Sequence, residues 1–197
     1  MPRPLIVGIV NITADSFSDG GRFLDPAAAI AQARRLAKGG ADIVELGAAA
    51  SNVAADPVPP EEEIRRLDPV IAALAGSGTP LAIDTFRPEV QRYALGRGVD
   101  YLNDIRGFPD PAIYPELAGG RCRLVVMHAV GGDRRAQQVD LTADEVWQRI
   151  DAFFTERIAR LAVAGIARER LILDPGMGFF LSTRAEASLR VLTGLDR

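Results

Sequence analysis

Along the chain, short apolar runs alternate with longer stretches in which apolar residues recur every three or four positions. The runs are LIVGIV (5–10), DIVEL (42–46), PLAID (80–84), DYLND (100–104), RLVVMH (123–128) and LILD (171–174). Each is almost continuously apolar, the pattern of a parallel strand covered on both faces. The stretches between them carry helix signals. Residues 25–40 open on Asp25 with Pro26 behind it and close on Gly39-Gly40, a start and stop that suit a helix. Residues 60–76 hold three acids in the first turn and Pro69 inside, which predicts a kink. Residues 87–98 follow the same plan. Residues 142–165 open with Thr142 and Glu145 at capping-box spacing, and a last helix is expected from Arg184 to Leu195. The Pro- and Gly-rich patches 48–60, 107–115 and 131–135 read as strand-to-helix loops.

Strands that alternate with Gly-punctuated helices predict a parallel sheet with right-handed crossovers. Six such units fit either an open doubly wound sheet or a barrel. No GxGxxG follows the first strand and no GxxxxGK[ST] occurs anywhere, which lowers the weight of the nucleotide-binding open sheets. The 197 residues, 48% hydrophobic, are expected to form one domain over 1–197. A net charge of −3 from mixed residues argues against nucleic acid or an anionic membrane as partner. No segment approaches the roughly 20 apolar residues of a membrane span, and the N-terminal apolar run is too short for a signal sequence. The expectation is a soluble cytoplasmic protein. The single cysteine, Cys122, rules out an intramolecular disulfide; with a single histidine, His128, it also argues against a Cys/His zinc site.

The polar residues that break the apolar runs fall at the carboxyl ends of the predicted strands: Asn11, Asp84, Asn103, Asp104, His128 and Asp174. In a parallel α/β fold these ends share one face, where such folds bind ligands. Each also has a local reading. Asp84 suits a helix cap, Asn103-Asp104 a turn, His128 a partly buried core histidine, and Asp174-Pro175-Gly176 turn chemistry. Together Asp84, Asn103 and Asp174 offer donors and acceptors for a flat heterocycle with an amino-pyrimidinone edge, since a carboxylate can take two parallel N–H bonds from an amidine-like group. Asn11 offers a hard oxygen compatible with Mg²⁺ near a phosphate ester. The pairs Arg34-Arg35, Arg65-Arg66 and Arg134-Arg135 read as solvated charges, Cys122 as an inert small hydrophobe, and Trp147, Phe153 and Phe154 as core.

GIVNITADSFSDGG (8–21), IDTFRPEV (83–90), YLNDIRGF (101–108), VVMH (125–128) and LILDPGMGF (171–179) resemble dihydropteroate synthase, in the family's order and spacing over essentially the whole chain. Residues 87–118 and 174–182 resemble its sulfonamide-insensitive branch, the Sul enzymes. The resemblance implies a TIM (β/α)8 barrel. It implies an enzyme that joins 6-hydroxymethyl-7,8-dihydropterin diphosphate to p-aminobenzoate in folate synthesis, with these small molecules and Mg²⁺ as partners and a homodimer as an admissible assembly. Asp84, Asn103, Met127, Asp174 and Gly178 would hold the pterin, with Asp84 and Asp174 catalytic. Ser51 and Phe179 would meet p-aminobenzoate, and Asn11 the Mg²⁺-diphosphate. The loops 13–23 and 48–59 would close over the site.

Two features depart from the family. The family's Ser-Thr-Arg-Pro stretch reads Ala50-Ser51-Asn52-Val53, without the Arg, and Phe179-Phe180 places bulk at the p-aminobenzoate pocket. The family also has eight βα units where six are legible here. Its Ser-Arg-Lys and Arg-x-His motifs do not occur, and Arg22 and Arg184 do not match them. The expectation is therefore a C-terminally incomplete barrel of about six βα units. A catalytically inactive pterin-binding fragment and a methyltetrahydrofolate-binding methyltransferase domain stand as alternatives to the synthase. The SFSDGG loop argues against the methyltransferase.

Overall fold

Each apolar run becomes a strand because at least one of its faces packs against the helices. A computed structural model describes residues 3–13, 25–49, 58–129, 140–177 and 181–195. Its strands are β1 (Val7–Asn11), β2 (Ile43–Gly47), β3 (Leu81–Asp84), β4 (Tyr101–Asp104), β5 (Arg123–Met127) and β6 (Leu171–Asp174). Its helices are α1 (Pro26–Lys38), α2 (Pro60–Leu74), α3 (Pro88–Gly96), α4 (Tyr114–Gly119), α5 (Ala143–Val163) and α6 (Ala185–Leu192).

All strand pairings are parallel, and the spatial order is β1-β2-β3-β4-β5-β6. A doubly wound sheet starts near its middle and grows both ways. Here each strand is laid beside its predecessor, the winding of a TIM barrel. The fold is six consecutive βα units of that barrel. Among the described residues β1 and β6 pair with no further strand, and Ile9 and Leu173 on these two edges are 54% and 43% exposed.

The main core lies between the sheet and the helices α1 to α5. It includes Val10, Leu46, Ile83, Leu102, Leu124 and Val126 from the strands and Ala33, Leu67, Val90, Leu117 and Leu161 from the helices. A smaller cluster of Val146, Ile150, Leu181, Ala187 and Val191 joins α5 to α6, with Trp147 and Phe154 packed on it. Phe153 packs on the main core, so all three aromatics serve packing as expected.

The helix signals act as their chemistry dictates. Asp25 accepts a hydrogen bond from the Ala27 amide. Thr142 and Glu145 form the reciprocal capping box. α2 continues unbroken across Pro69 to Leu74, at the expense of one intrahelical bond. The expected loop at 107–115 is wrong in its second half. A 3₁₀ turn (Pro111–Ile113) runs into α4, whose Tyr114 and Leu117 are buried. Six residues bounded by proline and glycine are too few to show a helical period.

Candidate functional site

Register decides which polar residues meet. Asn11 pairs with Gly47, Gly47 with Asp84, and Asp84 with Asn103. Residues paired in parallel strands point to the same face, so three of the expected side chains stand in one row across four strands. Two residues further along, Met127 pairs with Asp174 on that same face. Backbone bonds continue just past the strands and stiffen this rim: Ile12 N to Gly47 O at 2.7 Å, Thr85 N to Asn103 O at 2.9 Å, and His128 N to Asp174 O at 2.8 Å.

Gly47 leaves a gap in the row. A Cβ there would sit 3.6 Å from Asn11 Oδ1 and 3.7 Å from Asp84 Oδ2, so both oxygens stand over the same backbone position. Glu45, on the same face one layer below, accepts from Asn103 Nδ2 at 3.1 Å. The other end of that carboxamide, Asn103 Oδ1, is buried and has no hydrogen-bond partner among the described residues. A buried acceptor left unpaired costs roughly 1–3 kcal/mol, a cost that a donor on a ligand would remove.

The site gathers acids. Burial, then the charges of Glu45, Asp104 and Glu63, push the Asp84 carboxyl well above the usual carboxylate range. Burial also raises Glu45; the Asn103 bond opposes the rise and the Asp174 charge adds to it. Asp84, at the site's mouth, is thus inclined to hold a proton, while the Asn103 bond favours the charged form of Glu45 on the floor. Among the described residues no three His, Cys, Asp or Glu side chains are placed to share a metal ion. The arrangement suits a nitrogen-rich organic ligand better than a bare cation.

The local readings sort out differently. Asp84 is no helix cap: the N-cap of α3 is Arg87, and Thr85 Oγ1 takes the Arg87 amide. Asp104 does serve a turn. Its carboxylate accepts from the Arg106 and Phe108 amides and from Gln91 Nε2, while burial outweighs these bonds and pushes it up to about 6. Asp174 does both, since its Oδ1 takes the Gly176 amide at 2.8 Å. His128 is 3% exposed, with Nδ1 3.1 Å from the Pro175 carbonyl and the Phe153 ring edge-on at 5.3 Å. Burial, opposed by that carbonyl, lowers its basicity. It is a strut between β5 and β6.

Two sequence readings need correction. Arg66 is no free surface charge: it ties Glu62 to the Ala48 carbonyl, at 3.0 Å to the latter, and so links α2 to the end of β2. Glu45 drew no notice in the sequence, although an acid two residues before a rim glycine necessarily shares its face. Arg184 pairs with Asp140, and Cys122 is buried. Ser51, Gly178, Phe179, Phe180, Arg22, Arg134, Arg135 and most of the loops 13–23 and 48–59 lie outside the described residues.

A groove of about 640 Å³ opens at the opposite, amino-terminal end of the strands, beside Asp100, Tyr101, Cys122 and Arg123. That end of such folds serves stability, and it holds none of the rim residues Asn11, Asp84, Asn103, Met127 and Asp174.

Known proteins resemble this chain in sequence and in fold. A profile of the family described as "Pterin binding enzyme" matches residues 7–197. Dihydropteroate synthase type-2 of Escherichia coli is 56% identical over 192 residues, 98% of this chain and 70% of that protein. The Xanthomonas albilineans dihydropteroate synthase with 4-aminobenzoic acid superposes with a TM-score of 0.83 at 39% identity, covering 98% of this chain and 68% of that one. The Burkholderia cenocepacia enzyme complexed with 7,8-dihydropteroate gives 0.84 at 32% identity, covering 98% and 65%.

Proposed function

The chain belongs to the pterin binding enzyme family, among the dihydropteroate synthases, and from that premise we propose how its own residues serve the reaction. The reaction joins 6-hydroxymethyl-7,8-dihydropterin diphosphate to p-aminobenzoate, giving 7,8-dihydropteroate and diphosphate. One observation carries the assignment of residues. Asn11, Asp84 and Asn103 stand in a single row, with Met127 and Asp174 beside it, around an acceptor that has no partner among the described residues.

Asp84, Asn103 and Asp174 hold the polar edge of the pterin, and Met127, 7% exposed, packs against the ring. Asp84, inclined to be protonated, can donate to a ring nitrogen; Asn103 Oδ1 accepts from a ring N–H or amino group. The bond between the methylene carbon and the diphosphate oxygen breaks, and the oxygen keeps the electron pair. Positive charge then builds on a carbon conjugated with the ring. The Asp174 carboxylate stabilises that charge more than the neutral ground state, so its effect falls on the rate. The amine of p-aminobenzoate forms the new C–N bond and gives up a proton.

Asn11 offers a neutral oxygen donor for Mg²⁺ at this end of β1. Mg²⁺ prefers substrate phosphates plus one or two protein oxygens, and when bound it neutralises charge on the leaving diphosphate. Gly178, Ser51 and Phe179 complete the reading from the sequence alone. The likeness to a type-2 synthase supports a sulfonamide-insensitive enzyme in which Phe179 or Phe180 narrows the p-aminobenzoate pocket. The exposed apolar residues Ile9, Leu173, Leu189 and Leu192 support association of copies, read directly by sedimentation.

The deciding experiment incubates the chain with the pterin diphosphate, Mg²⁺ and p-aminobenzoate and looks for dihydropteroate by mass. Product is expected. Pterin binding without product would replace this reading with that of an inactive pterin-binding fragment, and no binding would end both.

A further inference from the structure

We propose that Glu45 is a positioning residue of the pterin site: it receives the Asn103 Nδ2 hydrogen and so keeps Oδ1 of that carboxamide turned toward the ligand. The inference rests on the pterin reading above. A carboxamide carries a donor at one end and an acceptor at the other, and the two ends are nearly equal in shape. Without a neighbour that distinguishes them, the group can turn over and offer a ligand N–H its own N–H groups. Glu45 makes the distinction. Its Oε1 lies 3.1 Å from Asn103 Nδ2 across the intervening strand β3, and a carboxylate accepts hydrogen bonds but cannot donate them.

The remaining geometry agrees. Asn103 Oδ1 is buried and unpaired among the described residues, the state of an acceptor held ready for a ligand donor. Glu45 lies at the middle of β2, between Ile9 and Ala82 in register, where an acid serves no turn or helix cap. Its position is costly: burial disfavours its charge, and Asp174 stands close enough to disfavour it further. An apolar residue here would fill the layer without that cost, so the acid is retained for what it bonds.

The test compares Glu45→Met, which keeps length but loses the acceptor, with Glu45→Gln, which keeps a carbonyl acceptor. The chain has three asparagines, at 11, 52 and 103. Selective ¹⁵N-asparagine labelling therefore gives three side-chain amide pairs, with Asn103 assigned by its loss in Asn103→Ser. In the ligand-free protein the Asn103 pair is expected to move in Glu45→Met while the Asn11 pair stays. Affinity for 6-hydroxymethylpterin, by fluorescence titration, is expected to fall roughly tenfold in Glu45→Met and to stay within about threefold of wild type in Glu45→Gln.

An unmoved Asn103 pair, or wild-type affinity in Glu45→Met, overturns the assignment. So does an equal loss in both variants. If the wild-type chain binds no pterin, the proposed function fails separately, and the Asn103 signals alone decide whether Glu45 orients the amide.

Discussion

Gly107 follows the site strand β4, and replacing it with alanine tests how tightly this rim is built. Its φ is 65°, a left-handed conformation that costs an L-residue about 1–2 kcal/mol. The added Cβ would also sit 2.7 Å from Phe153 Cζ, 3.0 Å from the Met127 carbonyl and 3.2 Å from Val126 Cγ1. The carbonyl belongs to β5 and cannot retreat. Phe153 is held edge-on between His128 and Phe154, with the Arg157 guanidinium 5.0 Å from its centroid. Arg157 in turn donates to the Arg106 and Gly107 carbonyls. Overpacking of this kind adds about 1–3 kcal/mol, for a total of about 3 kcal/mol. In a chain of this size that is a fall in Tm of roughly 6–12 °C. Gly76→Ala is the control: its φ is 72°, with nothing within 4 Å of the added Cβ. It isolates the backbone component and should cost roughly 2–8 °C. Thermal unfolding followed by circular dichroism, with urea midpoints as a second measure, reads both. Equal losses in the two variants would show that the contact with β5 and Phe153 is not tight, and a Gly107→Ala chain within 2 °C of wild type would refute the reasoning outright.

Asp84→Asn should abolish binding of 6-hydroxymethylpterin and also change the pH dependence of stability. The folded chain holds the Asp84 proton more tightly than the unfolded chain does. Its contribution is therefore complete below the ordinary carboxyl pKa and is lost as pH rises through the raised value. Melts at pH 5 and pH 8 should show the variant losing less than wild type, and a variant that loses more would reverse the sign. Thr142→Ala removes the capping box of α5 and should lower stability by about 1 kcal/mol, seen as an earlier urea midpoint with unchanged slope. Phe179→Ala or Phe180→Ala should admit a sulfonamide that wild type excludes, measured as inhibition of dihydropteroate formation; no gain from either change removes the steric account.

The six strands were legible because each is an almost unbroken apolar run, although on the edge strands β1 and β6 one face of that run stays exposed. α4 was not, because a six-residue helix between Pro115 and Gly119-Gly120 is too short to show a period. Within the site, the residues that end strands stood out, since an acid or amide after an apolar run has no bland neighbour. Glu45 did not, because DIVEL reads as a strand flanked by ordinary charges. Its meaning comes from Asn103, 58 residues away, and only the pairing of β2 with β3 and β3 with β4 brings the two together. The turn role of Asp104 was legible, but its bond from Gln91 was hidden for a related reason: Gln91 lies on α3, and no local pattern announces a bond between a helix and the following strand.

The shared row of Asn11, Gly47, Asp84 and Asn103 has a consequence for how such a gene can change length. Side chains alternate across a strand, so deleting one codon from β3 would turn Asp84 toward the helices and carry a neighbour into its place. The same deletion in the exposed turn at Gly76-Ser77-Gly78 would leave every strand in phase. Length variation compatible with chemistry is therefore confined to the connections, and within the strands it must come in pairs of residues or not at all.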